Sequence, residues 1–377
     1  MAPVYLDCNA TTPLDPEVRE VLFHYLTEEY GNEGSRTHEY GSRAKQAVQK
    51  ARDQVGAVVG AKREEVIFTS GATESNNLAI LGLTAHGIET GKRHLIGTRI
   101  EHKAILEPLE ALEKQGFEVT WLGSDEQGRV SPTELRDALR PDTLLVSIMA
   151  ANNETGVRQP IEEICGVLEG HDAYFHTDAA QAFGKDIGPL RNGRIDMISV
   201  SGHKIYAPKG IGALILRRRG YERPPLKPLF YGGGQERGLR PGTLPVAHVA
   251  ALGMAAEVAL EQYEKRRKQC RKIKDAALAA FSSLAPRIHG RPEETMDHVL
   301  NLAFPGIDSE ALIVALKDLV AISNGSACTS SSYTPSHVIK AMGYSDDEAN
   351  EAIRLSWCHL TPEVDWEAVA RRILSLR

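Results

Sequence analysis

The stretch Asp196-Met197-Ile198-Ser199-Val200-Ser201-Gly202-His203-Lys204 is an apolar run that ends in small and polar residues. It predicts a buried strand that runs straight into a turn. The following Ile205-Tyr206-Ala207-Pro208-Lys209-Gly210-Ile211-Gly212 is rich in Gly and Pro and breaks any regular element. A lysine just past such a strand needs a partner or a depressed pKa, because a buried ammonium is costly. That setting suits Schiff-base formation with an aldehyde cofactor. Alone, Ser201–Lys204 also describes a surface lysine at a strand end, so the surrounding chain has to decide.

Working outward, further strands are expected at 66–69, 94–97, 119–122, 144–149, 173–177 and 212–216. Helices are expected between them, at 74–83, 105–115, 132–139 and 161–168, and before them at 17–26 and 42–59. Asp15 and Pro16 are a cap and a first-turn proline for the helix at 17–26. Strands alternating with helices indicate an α/β fold with a mostly parallel sheet covered on both faces. Ligands in such sheets sit at the carboxyl ends of the strands. Beyond 246 helical spacing dominates to about 284, read as one long helix whose charged run 261–274 faces water. It leads to a second domain with a strand near 299–304 and helices at 309–316, after Pro335 and after Asp365. The expected division is 14–260 for a large domain, and 1–13 with 261–377 for a small one. Arg217-Arg218-Arg219 before Pro224-Pro225 reads as a solvated turn.

Bulk properties narrow the function. The 377 residues are 42% hydrophobic and 25% charged, enough for a large core. A net charge of -6 argues against direct nucleic-acid binding. The N-terminus lacks a signal-peptide pattern and no apolar run has membrane-spanning length, so a cytoplasmic protein is expected. Five scattered cysteines without C-x-x-C spacing argue against a zinc site or a disulfide framework, and no metal is expected.

Several strand ends carry chemistry. Thr69-Ser70-Gly71-Ala72-Thr73-Glu74-Ser75-Asn76-Asn77 is a strand, a glycine turn and a helix start, which makes an anion site or a plain cap. Asp178, in Phe175-His176-Thr177-Asp178-Ala179-Ala180-Gln181, ends an apolar strand, where it caps a helix or pairs with a cation such as a pyridinium nitrogen. His102 and Asn152-Asn153-Glu154-Thr155-Gly156 also follow strands. Cys328 lies in Ser323-Asn324-Gly325-Ser326-Ala327-Cys328-Thr329-Ser330-Ser331-Ser332, a polar setting that suits a nucleophile better than a structural thiol. The other four cysteines read as incidental, although Cys8 lies in the loop 7–12 expected near the site.

Taken in order, these motifs resemble the NifS/IscS-like cysteine desulfurases among the class V pyridoxal-phosphate enzymes. Added landmarks are Tyr5-Leu6-Asp7, Ala10-Thr11-Thr12-Pro13, Gly232-Gly233-Gly234-Gln235-Glu236-Arg237-Gly238 and Arg240-Pro241-Gly242-Thr243-Leu244-Pro245. The resemblance implies the fold type I of these enzymes, with a seven-stranded large domain and a smaller α+β domain. It implies pyridoxal 5'-phosphate carried on Lys204, with Asp178 at the ring nitrogen, Gln181 at the phenolic oxygen and His102 stacked on the ring. Ala72, Thr73, Ser201 and His203 would hold the phosphate, and Thr243 would reach the phosphate of a partner subunit in a homodimer. Asn153 and Arg354 would bind the carboxylate of L-cysteine, Arg354 through a bidentate pair. Cys328 would carry the persulfide to a sulfur-acceptor protein.

Some positions depart from the common pattern. Asp7-Cys8-Asn9, Gly31-Asn32-Glu33-Gly34 and Arg354-Leu355-Ser356-Trp357-Cys358-His359 look more like the DndA-type desulfurase of DNA phosphorothioation. A C-terminal extension of the kind housekeeping desulfurases use on their scaffold is not expected. The alternatives are a housekeeping donor for iron–sulfur clusters or tRNA thiolation, and a selenocysteine lyase or aminotransferase on the same fold.

Overall fold

The structure, a computed structural model, describes residues 2–325 and 335–377. Cys328 lies outside the described residues. The strands are β1 (Val4–Tyr5), β2 (Val66–Thr69), β3 (His94–Thr98), β4 (Glu118–Leu122), β5 (Thr143–Ser147), β6 (Tyr174–Asp178), β7 (Met197–Ser201), β8 (Gly212–Leu216), β9 (Arg287–Ile288), β10 (Val299–Ala303), β11 (Val320–Ala321) and β12 (Ala352–Ser356). The helices are α1 (Pro16–Thr27), α2 (Glu39–Val59), α3 (Ala72–Leu81), α4 (Thr84–Thr90), α5 (Lys103–Glu113), α6 (Pro132–Ala138), α7 (Ile161–Val167), α8 (Val246–Glu261), α9 (Tyr263–Phe281), α10 (Ser309–Leu316), α11 (His337–Ala341), α12 (Asp346–Asn350) and α13 (Trp366–Leu374).

Seven strands form one sheet in the order β2-β8-β7-β6-β5-β3-β4. Only β8 runs against its neighbours, pairing antiparallel with β2 and β7. β5 to β8 are buried along their whole length apart from Tyr174, as strands covered on both faces must be. On one face α2 and α8 supply Val48, Val55, Val249 and Leu252. On the other, α3 and α5 supply Leu78, Leu109 and Leu112. A smaller antiparallel sheet, β12-β10-β9, packs around Trp357, Phe281, Phe304 and Trp366. β1 pairs with β11, Val4 opposite Val320, so the first residues join the last part of the chain.

Local signals explain most boundaries. Asp15 accepts from Glu17 N and Pro16 opens α1, as the sequence predicts. Asp308 caps α10 and Asp365 caps α13. α2 begins earlier than its spacing suggests, because the His38 ring accepts from Gly41 N.

Three expectations change. The single helix after 246 is two, broken at Gln262, which leaves helical geometry at φ -100° and ψ 13°. The break falls where a mostly apolar segment gives way to a charged one. The charged run does not simply face water. Lys274 is fully buried, and its ammonium donates to Pro292 O, Met296 O and Thr295 Oγ1. Burial pushes it down to about 8. Arg266 is buried against Asp15 at 2.6 Å. Arg217 is likewise no solvated turn residue: it donates to the carbonyls of Val59 and Leu190. A guanidinium can be buried when carbonyls take its donors.

Two predictions follow from this packing. A methyl added at Gly212 would lie 2.6 Å from Gly71 Cα and 2.4 Å from Val200 O. Gly212→Ala is therefore expected to lose about 1–3 kcal/mol in urea unfolding. His176 and His289 are fully buried and pushed down to about 4 by burial. The unfolded chain then binds the extra protons, so stability is full above pH 6.5 and falls as pH drops towards 4. The loss reaches up to roughly 3 kcal/mol per histidine, measurable as a shift in urea midpoint with pH.

Candidate active site

The parallel strands deliver their carboxyl ends to one rim of the large sheet. Asp178 is the last residue of β6 and Ser201 the last of β7. Lys204 closes the short turn after β7. These three residues, with His102, Asn153 and Arg354, line one cavity of about 480 Å³. Ala72, Thr73, Gln181 and His203 line it too. The cavity thus unites the sequence-predicted residues with two exceptions. Thr243 is exposed and is not part of its wall, and Cys328 lies outside the described residues.

The anion-binding end forms where β2 stops. Gly71 has φ 156° and ψ -179°, a backbone that glycine alone adopts readily, and α3 starts immediately after it. The first-turn N–H groups of Ala72 and Thr73 lack intrahelical acceptors and point out of the helix start. A side chain on Gly212 would run into Gly71 Cα, so the bare Gly212 lets this turn come close to β8. Glu74 in the same turn holds Arg240 at 3.0 Å. Burial would raise its pKa, but Arg240 and Ser70 outweigh that and keep it lowered.

Asp178 is 6% exposed. Its Oδ2 accepts from Asn76 Nδ2 at 2.7 Å and its Oδ1 from Ala180 N at 2.9 Å. No helix follows Asp178, so its place is not explained by capping one. Behind it, His176 bridges Ser147 Oγ and Ser199 Oγ at 2.9 Å each. That network fixes β6 against both neighbouring strands.

Lys204 Nζ donates to Ala10 O at 2.8 Å and to Asn9 O. Gln181 Nε2 donates to the same Asn9 carbonyl at 3.0 Å. Thr12 N and Oγ1 both donate to His203 O at 3.0 Å. The N-terminal loop is thereby tied to the lysine turn. The His203 ring meets Thr11 Oγ1 at 3.1 Å and is pushed down to about 4 by burial and by Lys204. His102 caps α5, its Nδ1 accepting from Ala104 N, and burial lowers its pKa. Both rings are therefore neutral at pH 7, with one N–H each to offer.

Arg354 on β12 is 2% exposed. Its Nη2 meets Asp7 Oδ1 at 2.7 Å and Ser323 Oγ at 3.0 Å, and its Nη1 donates to Asn153 O at 3.0 Å. Nε is buried with no partner among the described residues. A bidentate grip on a carboxylate therefore needs a donor released by Asp7 or Ser323.

Sequence reasoning missed Asn76 and the carbonyls of Asn9 and Ala10. Asn76 was legible: it lies three residues after Thr73, on the same face of α3. Backbone carbonyls leave no such signal.

The residues fit pyridoxal phosphate. Buried polar atoms of Asn9, Asn76, Gln181 and Arg354 lack partners among the described residues, and all four side chains line this one cavity. Buried polar groups left open in one cavity imply a polar ligand. The cavity also pairs an anion-binding turn with a carboxylate and a lysine.

Comparisons with known proteins agree. The Aminotransferase class-V family matches residues 4–369. A mitochondrial cysteine desulfurase of Drosophila melanogaster is 47% identical over 97% of this chain and 79% of its own. A NifS-like protein superimposes with a TM-score of 0.90 at 35% identity, covering both chains completely. DndA from Streptomyces lividans superimposes with a TM-score of 0.83 at 48% identity, over 94% of this chain and 99% of that one. On the strength of these matches and of the lysine–aspartate cavity, the chain belongs to the class-V aminotransferase family and, within it, to the pyridoxal-phosphate-dependent cysteine desulfurases.

Proposed function

We propose that this cysteine desulfurase passes the sulfur of L-cysteine, through Cys328, to an acceptor protein serving DNA phosphorothioation. The observation that carries the reading is the convergence of Lys204, Asp178 and Arg354 on one cavity, in a chain 48% identical to DndA. Cys8 and Cys358, which set this sequence apart from the housekeeping pattern, also support the DndA-type assignment. A housekeeping role in iron–sulfur or tRNA sulfur supply is the second reading, favoured by 47% identity to the mitochondrial enzyme.

The roles are those the family resemblance implies, and the chemistry of each group suits them. Pyridoxal phosphate supplies an electron sink for the carbanion formed at the substrate Cα. Ala72, Thr73, Ser201 and neutral His203 would bind its phosphate, and Asp178 would keep the ring nitrogen protonated. Gln181 would bond the phenolic oxygen, and His102 would stack on the ring. Lys204 anchors the cofactor and moves the Cα proton. Asn153 and Arg354 orient the substrate carboxylate. The Cys328 thiolate attacks the substrate sulfur. An S–S bond forms as the C–S bond breaks, the carbon keeps the electron pair and takes a proton, and alanine leaves. Cys328 is left as a persulfide.

The protein works as a homodimer in the cytoplasm on this reading. Support comes from the exposed stretch holding Tyr221, Tyr231 and Thr243, with Tyr221 97% and Tyr231 88% exposed. Aromatic residues left in water suit an interface between chains. No helix among the described residues is long and apolar enough to cross a membrane.

Cys328→Ser is expected to abolish alanine formation from cysteine while keeping the yellow cofactor. Undiminished alanine release would sink the role of Cys328. Lys204→Ala is expected to lose the cofactor absorbance of the resting protein, and an unchanged spectrum would count against Lys204. The pathway is read by trapping the Cys328 persulfide and offering it candidate acceptors. Discharge onto an iron–sulfur scaffold but not onto a phosphorothioation protein favours the second reading. Sedimentation as a monomer would overturn the dimer.

A further inference from the structure

Cys8 and Cys358 stand outside the desulfurase chemistry, yet the fold brings them together from opposite ends of the chain. Asp7 bridges Ser356, and Cys8 N donates to Ser356 O at 3.0 Å. Both thiols are 1% exposed, form one apolar cluster with Tyr206, and lie close enough to shift each other's ionisation. Cys165 and Cys270 are buried in other clusters.

Both residues also border a cavity of about 420 Å³, together with Tyr5, Thr12, Leu360 and Thr361. Tyr5 is 40% and Leu360 42% exposed, so this cavity opens to solvent. It is separate from the Lys204 cavity and shares no lining residue with it.

The two sulfurs differ in character. Cys358 receives a hydrogen bond from Thr361 Oγ1 at 3.7 Å, and Cys8, the Leu360 N–H and Lys185 all favour its thiolate. Cys8 above all outweighs burial and holds the Cys358 thiol below its usual range. Cys8 is held above its own by Cys358 and by burial. One thiolate beside one thiol is the arrangement that disulfide-forming pairs use.

The pair also sits on a mechanical link. Asn9, next to Cys8, offers the carbonyl that Lys204 and Gln181 share. Asn9 N accepts no slack either: it donates to Ser356 Oγ at 2.9 Å. Ser356 lies midway between Arg354 and Cys358 in sequence.

We propose that Cys8 and Cys358 form a reversible oxidation site, closed to a disulfide by a hydroperoxide that enters the neighbouring cavity, and that closure shifts the Asn9 segment holding Lys204. The Cys358 thiolate attacks the peroxide. An S–O bond forms, the O–O bond breaks, and the leaving oxygen takes a proton to become an alcohol or water. The sulfenic acid on Cys358 is then attacked by the Cys8 sulfur. The S–S bond forms, the S–O bond breaks, and water leaves with the Cys8 proton. Two thiols are oxidised by two electrons and the peroxide is reduced by two.

The test uses holoenzyme carrying Cys328→Ser, so that the sulfur-transfer thiol cannot react, with wild-type holoenzyme mapped in parallel. Each is treated with hydrogen peroxide, alkylated unfolded and digested with trypsin without reductant. Expected are a linked peptide pair, residues 1–19 with 355–371, an intact mass lower by two hydrogens, and recovery with dithiothreitol. The rate at which added cysteine changes the cofactor absorbance should fall by about tenfold or more in the oxidised form, as a small displacement near a reacting group can cost. In the same background Cys8→Ser should give no linked pair and keep its absorbance response after peroxide. The proposal is overturned if both thiols remain alkylatable, if either links to Cys165 or Cys270, or if Cys358 goes to a sulfinic acid beside a free Cys8. A linked pair with an unchanged absorbance response overturns the connection to Lys204. Mass mapping reads the disulfide whether or not cysteine is the substrate, so its result is independent of the assigned activity.

Discussion

The structure depends on one awkward charge, the Lys204 ammonium at the end of β7. Leaving such a group without acceptors in a half-buried site is costly. The N-terminal loop supplies them, through the carbonyls of Asn9 and Ala10. That loop cannot move freely, because Thr12 is bonded to His203 O and Tyr206 O accepts from Asp15 N. At its other end Asp7 bridges Ser356 and bonds Arg354. A few residues thus set the distance between the lysine on the large sheet and the arginine on the small one. With the roles proposed for Arg354 and Lys204, substrate orientation and proton transfer would be referenced to the same piece of backbone.

Electrostatics around the cavity follow from that geometry. A phosphate group would arrive at an N–H-rich turn next to a histidine that burial and Lys204 keep neutral. Charge there is supplied by dipoles and N–H donors together with Lys209, which lines the same cavity as Lys204. At the other end, Asp178 is shielded from solvent but accepts two hydrogen bonds. Its carboxylate is already oriented before a ring cation is present. Oriented dipoles of this kind need no rearrangement during the reaction.

Much of this was legible in the sequence because it rests on period and punctuation. Apolar runs ending in Asp178, Ser201 and Thr69 gave away the sheet and its active rim. Asp15-Pro16 marked a helix start, and Gly71 a turn that only glycine makes. What stayed hidden depends on partners distant in sequence. Nothing near Lys274 announces that Pro292, Thr295 and Met296 will wrap its ammonium, so a charged helix face looked solvated. Arg217 is hidden for the same reason. The reversed direction of β8 is invisible because a fully buried strand has the same composition either way. Asp7 on Arg354 is a contact across nearly the whole chain.

The loop carrying Thr243 brings the same logic to the molecular surface. Glu236 and Arg237 adopt positive φ of 47° and 58°, which non-glycine residues resist. The strain persists because Glu236 is buried and bonded to Arg52, and it also accepts from Phe68 N at 2.7 Å. Removing one partner of such a pair costs roughly 3–5 kcal/mol, comparable to the two backbone strains together. Arg240, further along, is held by Glu74 in the anion-binding turn. The exposed loop is therefore fixed by β2 and α3, the elements that build the phosphate end on its own chain. A segment ordered in advance loses little entropy when a second chain meets it. Two ion pairs and a strained turn therefore hold the loop carrying Thr243 in one place on its own chain.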